Sequence, residues 1–121
     1  MSERLPETGL VIQEPWIDYL LDGSKTWELR SKRTAKRGRI GLIRKGSGRV
    51  EGEAELIEVV GPLDMEELRA NQEKHRVPPE RFAFVLERGY RYAWVVSAAK
   101  KYGAPIPYRH APGAVIWVRL G

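Results

Sequence analysis

The chain has 121 residues, 42% hydrophobic and 31% charged, with no cysteine; such a composition is globular and excludes disulfides and thiolate metal sites. No apolar run approaches the ~18 residues needed to span a bilayer, and the opening MSERLPETG lacks the apolar stretch of a signal peptide. One domain over residues 1–121, cytoplasmic and without a membrane partner, is therefore expected, and a chain of this length buries roughly two-thirds of its unfolded surface.

Taken in order, Gly9–Ile12 reads as a short apolar strand after a polar lead. Pro15 suits the first turn of a helix, Trp16, Ile17, Leu20 and Leu21 follow at helical spacing, and Gly23 stops it, which predicts a helix over 15–22. Thr26–Ser31 switches to a period of two, so that Trp27 and Leu29 turn to the core while Glu28 and Arg30 face a cleft. Residues 39–44 form the next strand, and Gly46-Ser47-Gly48 turns the chain into a return strand over Val50–Val60. Its alternation breaks at Leu56-Ile57, which predicts a bulge.

Asp64 followed by Glu67 is a capping box opening a helix over 65–74. Pro79 opens a further short helix that buries Phe82, Val85 and Leu86 and ends at Gly89. Tyr90–Val96 alternates again, with Tyr90, Tyr92, Trp94 and Val96 on one face. Residues 97–113 read as a basic, proline-rich connection, and Ala114–Leu120 as the closing strand. Five or six strands interrupted irregularly by short helices predict an antiparallel or mixed α+β barrel rather than a doubly wound sheet.

The net charge of +5 is unevenly spread. Between Lys25 and Arg49 ten basic residues face the single Glu28, and from Arg88 onward six basic residues meet no acidic one. The segments before and between them, 1–24 and 50–87, carry net charges of −4 and −6. Two basic segments brought together by the fold form a face that attracts phosphates; kept apart, they are ordinary solvated surface. Within the first, Lys25 sits at a glycine turn beside Glu28 and Arg30. Lys25 is a point charge suited to a phosphate or, if desolvated, to proton transfer. A surface salt-bridge set on an edge strand accounts for the same spacing.

Gly23-x-Lys25-x-x-Glu28-x-Arg30, after Pro15-Trp16 and a short helix, resembles the GxKxxExR signature of the ASCH domain family. Gly38-Arg39-Ile40 and Ala93-Trp94-Val95 resemble its later strands, and Pro105-Ile106-Pro107-Tyr108 with Gly113 its closing segment, so that residues 9–120 are covered. The resemblance implies a PUA-like β-barrel of about five or six mostly antiparallel strands with short flanking helices. It also implies a cleft where Gly23, Lys25, Glu28 and Arg30 meet a ligand, and roles linked to RNA. One branch of the family deacetylates N4-acetylcytidine with a lysine, a threonine and a glutamate; the lysine matches Lys25, but Glu28 stands where the threonine would be. Other members are described as metal-independent ribonucleases.

The expected ligand is therefore single-stranded RNA or a nucleotide or nucleoside. Its backbone meets Arg33, Lys36, Arg37 and Arg39 at the rim, and its base meets Trp16, with Tyr108 as a second stacking residue. Glu28 is suited to accepting from the exocyclic amine of cytosine or adenine. If the chain is an enzyme, Lys25 and Glu28 are its catalytic pair; a protein-interaction adaptor is the third alternative. Trp27, Trp94 and Trp117 are expected in the core. His75 and His110 stand far apart, so no metal site and no cofactor are expected. His75 is expected as a solvated helix-end residue, and His110 as an acid or base only in a minor reading.

Overall fold

The computed structural model describes residues 4–120. Among them, β1 (Thr8–Ile12), β2 (Trp27–Arg30), β3 (Gly38–Arg44), β4 (Arg49–Val60), β5 (Tyr92–Pro107) and β6 (Trp117–Arg119) form one sheet. Their order is β2-β5-β4-β3-β1-β6. All neighbours are antiparallel except β1 and β3, which pair in parallel from Gly9 opposite Gly41 to Ile12 opposite Arg44. The sheet curls into a half-barrel, and with its short helices it has the α+β, PUA-like architecture expected from the sequence.

Helix α1 (Trp16–Leu21) buries Ile17, Leu20 and Leu21 against Leu10, Ile40, Leu42, Leu56, Trp94 and Val96 inside the barrel. This close seat needs Gly52, where a Cβ would lie 2.5 Å from Leu21 and 2.4 Å from the Lys100 carbonyl. A second apolar cluster lies on the other face of β5, where Ala93 and Trp27 meet Leu63, Leu68, Val77, Phe82 and Val85. That cluster is built by α2 (Met65–Ala70), α3 (Gln72–His75), one 3-10 turn (Pro79–Arg81) and α4 (Phe82–Glu87).

Where the local chemistry is unambiguous, sequence and structure agree. The Asp64 carboxylate accepts from the Glu67 N–H at 2.9 Å, and the Glu67 carboxylate accepts from the Asp64 N–H at 3.2 Å. The bulge falls as expected, because Leu56 pairs with Val96 while Glu58, two residues on, pairs with Val95. Trp27 and Trp94 are buried, and Trp117 stacks on Trp94 with centroids 5.6 Å apart and planes 8° from parallel.

Four expectations are overturned by the course of the chain. The helix expected over 65–74 is two helices, because the Asn71 side chain donates to the Glu67 carbonyl at 2.8 Å while its backbone leaves helical geometry. The supposed connection 97–113 is strand up to Pro107, with Arg49 opposite Pro107 and Val50 opposite Ile106. Prolines are tolerated there because β2 pairs only with Tyr92–Val95, so the rest of β5 has one unpaired edge. An extra residue also enters β5 at Ala98, whose φ of 51° marks the bulge between the Glu53–Lys100 and Glu55–Ser97 pairs. Finally, Tyr90 lies before β5 rather than on its alternating face, and β6 is confined to Trp117–Arg119.

Candidate functional site

A cavity of about 440 Å³ lies where the curl of the sheet brings β2 near β1, with α4 on its other side, a size within the range of ordinary small-molecule sites. Its deep end is β2. Alternation sends Glu28 and Arg30 to the same side of the strand, and Arg30 donates to one oxygen of Glu28, Oε2, from Nε at 3.0 Å and pairs with it from Nη2 at 2.9 Å. Arg30 also donates to the Val11 carbonyl at 2.9 Å, and its guanidinium lies 5.5 Å from the Trp94 ring centroid. These contacts fix the carboxylate, which is only 6% exposed. Its other oxygen, Oε1, stands 3.7 Å from Lys25 Nζ, longer than a hydrogen bond.

Lys25 is 2% exposed, although it follows the turn at Gly23. Its ammonium donates to the Trp27 and His75 carbonyls, each at 2.7 Å, and lies 4.9 Å from the Trp16 ring centroid. Burial lowers its pKa to about 8, with the charge of Glu28 opposing that shift. Two protons of the cation are thus taken by carbonyls, and Glu28 stands at ion-pair distance from it.

His75 corrects the expectation of a solvated residue: it is fully buried. Its Nε2 lies 2.7 Å from the Leu68 carbonyl, and its Nδ1 accepts from the Val77 N–H at 3.0 Å. That pair of partners requires the neutral ring with the proton on Nε2. Burial accordingly lowers its pKa. The residue ties α3 to the following segment, and its own carbonyl holds Lys25.

Val11, Trp16, Leu29, Val77 and Val85 form apolar wall. The mouth carries three large apolar side chains that remain exposed, Phe84 at 40%, Tyr90 at 41% and Val115 at 75%. Lys45, Arg81 and Arg88 complete it. The lining therefore holds five cations, counting Lys25 and Arg30, against the single carboxylate of Glu28. The two basic segments of the sequence do contribute to one place, through Lys45 and Arg88.

Of the residues singled out in the sequence, Trp16, Lys25, Glu28 and Arg30 line this cavity, whereas Gly23, Arg33, Lys36, Arg37, Arg39 and Tyr108 do not. Gly23 has φ +82° with open space around it, so it serves the turn rather than a close approach to a ligand. Arg33 donates to the Gly61 carbonyl and lies against Tyr92; Lys36 lies 5.5 Å from the Trp117 centroid. Arg37 donates to the Thr34 and Lys36 carbonyls, and Arg39 holds Glu53 at 2.6 and 2.7 Å. Tyr108 is bonded to His110 at 2.8 Å.

Sequence reasoning missed Lys45, Arg81, Phe84, Arg88, Tyr90 and Val115. One signal was available. Phe84 is out of phase with the buried positions Phe82 and Val85, and Arg81 and Arg88 stand three residues before and four after it, one helical turn away on each side.

A family model, ASCH domain, matches residues 10–106. Among solved structures, the crystal structure of ASCH from Zymomonas mobilis is 18% identical, with a TM-score of 0.67, covering 83% of this chain and 72% of that one. A serine-to-alanine mutant of that protein gives a TM-score of 0.70 at 17% identity, covering 97% of this chain and 92% of that one. No curated protein matches. Among the described residues, no helix is long and apolar enough to cross a membrane.

Proposed function

The chain belongs to the ASCH domain family, and on that premise we propose that its cavity binds RNA, or a nucleotide-like small molecule, in the cytoplasm. The observation that carries this reading is the polarity of the cavity. The deep end holds a carboxylate, Glu28, oriented by Arg30 and beside Lys25, and the mouth carries Lys45, Arg81, Arg88 and two exposed aromatic rings. The two deep cations are already directed at Glu28 and at backbone carbonyls, whereas Lys45, Arg81 and Arg88 have no carboxylate partner among the described residues. A base therefore suits the deep end and its phosphate the mouth. Glu28 Oε1 has acceptor capacity for the exocyclic amine of cytosine or adenine.

Lys25 serves this arrangement by holding Glu28 and by joining α3 to β2 through the His75 carbonyl. The hydrolase alternative asks Lys25 for a mobile proton or a lone pair. With two of its protons held by carbonyls and its charge paired with Glu28, the binding reading is better supported by this geometry.

Calorimetric titration with the four ribonucleoside monophosphates and with short single-stranded RNAs, at low and moderate salt, tests the proposal. Cytidine and adenosine monophosphates should bind more tightly than uridine monophosphate, with that preference lost in Glu28→Gln. RNA affinity should fall with salt by a log–log slope of about −0.7 for each phosphate contacted. Binding without base preference, or no binding at all, would refute it. Turnover of the RNA abolished by Glu28→Gln would replace it with the hydrolase.

A further inference from the structure

Helix α4 presents an aromatic ring where its own packing does not call for one. Phe82 and Val85 of this helix are buried, yet Phe84 is turned outward at the cavity mouth. The guanidinium carbons of Arg81 and Arg88 each lie 4.9 Å from the Phe84 ring centroid. Neither arginine has a carboxylate partner within ion-pair distance among the described residues. An exposed ring with two guanidinium groups over it, on the rim of a cavity with a net positive lining, is well suited to a stacked base with phosphate on either side.

We infer that Phe84, with Arg81 and Arg88, forms a second base-binding position, so that the ligand is a single-stranded RNA segment of at least two nucleotides. This rests on the reading of the cavity as a base site. One base occupies the cavity beside Glu28, the linking phosphate crosses the rim at Arg81 and Arg88, and the neighbouring base stacks on Phe84. Phe84 lines the mouth of the cavity rather than its deep end, so a base stacked there neighbours the one beside Glu28. Phe84 is the exposed ring of the mouth with two guanidinium groups over it. An acidic peptide would also be drawn to the arginines, but a base can in addition stack on the ring or on the guanidinium planes beside it.

The test compares a cytidine monophosphate with 5′-phosphorylated dinucleotides that keep the same first base, titrated into the full chain. The dinucleotide should bind about tenfold more tightly, within what stacking one base on an aromatic ring supplies. In Phe84→Leu the ratio of the two affinities should fall to about one, and in Phe84→Trp it should be retained. Because Phe84 is largely outside the core, these variants should fold, as circular dichroism will verify. A mononucleotide that binds with no dinucleotide gain, or a gain that survives in Phe84→Leu, would overturn the second position while leaving the cavity reading intact. Absence of mononucleotide and dinucleotide binding alike, or binding of acidic peptide alone, would overturn both.

Discussion

Two cationic regions of this molecule differ in what their charges already hold. The stretch 32–39, running from the β2–β3 connection into β3, is the most basic of the chain, yet its arginines and Lys36 are directed at the fold itself. They hold Gly61, Thr34 and Glu53, and they lie over Tyr92 and Trp117. The Trp94 N–H fastens the same segment from below, donating to the Lys32 carbonyl at 2.8 Å. Arg81 comes from the acidic stretch 50–87 and Arg88 opens the second basic segment, and they flank an exposed ring at the cavity mouth. Density of charge along a sequence therefore says little about where a partner binds. What each cation is already bonded to says more.

The deep end of the cavity offers the strongest perturbation of this contrast. Lys25→Met should cost about 3 kcal/mol in urea denaturation, because it leaves two buried carbonyls without a donor and removes one of the cations beside Glu28. It should also change the alkaline pH dependence. With a folded pKa of about 8 against 10.5 in the unfolded chain, the unfolded state binds more protons between those values, so this residue makes stability rise with pH there. That contribution should vanish in Lys25→Met.

His75→Leu should destabilise by about 2 kcal/mol, since the Leu68 carbonyl and the Val77 N–H lose their partner. Its native pKa is lowered from 6.5, so the unfolded state takes up the proton first as pH falls below about 6.5, and stability declines in that direction. A denaturation series from pH 7 downward should show a shallower decline in the variant. No such change there would mean that His75 is not the group responsible.

Weaker effects separate the two cationic regions directly. Arg81→Gln with Arg88→Gln should reduce RNA affinity about tenfold at low salt and lower the salt slope by about 1.4 for two lost phosphate contacts. Arg33→Gln with Arg37→Gln should change affinity by less than about twofold, and the opposite ranking would restore the basic loop as the RNA contact. The smallest effect is expected for Lys36→Ala, roughly 0.5 kcal/mol of stability from its loss over Trp117, with RNA affinity unchanged.

Local chemistry was legible wherever neighbours in sequence settled the outcome. The Asp64–Glu67 box, the stop at Gly89 and the break at Leu56-Ile57 each depend on residues within a few positions. Alternation along β2 likewise placed Glu28 and Arg30 on one side. The burial of Lys25 and His75 was not legible, because the carbonyl that holds Lys25 lies 50 residues away on α3. Strand structure in 97–107 was hidden for the same reason: its partner is the start of β4, and proline content alone argued against it.

The order of apolar and polar residues by itself determined an α+β chain of short strands and helices and a β2 with Glu28 and Arg30 on one side, while the motif from Gly23 to Arg30 with its flanks carried the family resemblance. Only the tertiary structure decided which cations meet at the cavity. Lys45 is dozens of residues from Arg81 and Arg88, and their convergence depends on the packing of α4 across the sheet. Periodicity fixes the direction of a side chain within its own element, but the neighbour it faces is set by how elements of distant sequence bury their apolar sides against each other.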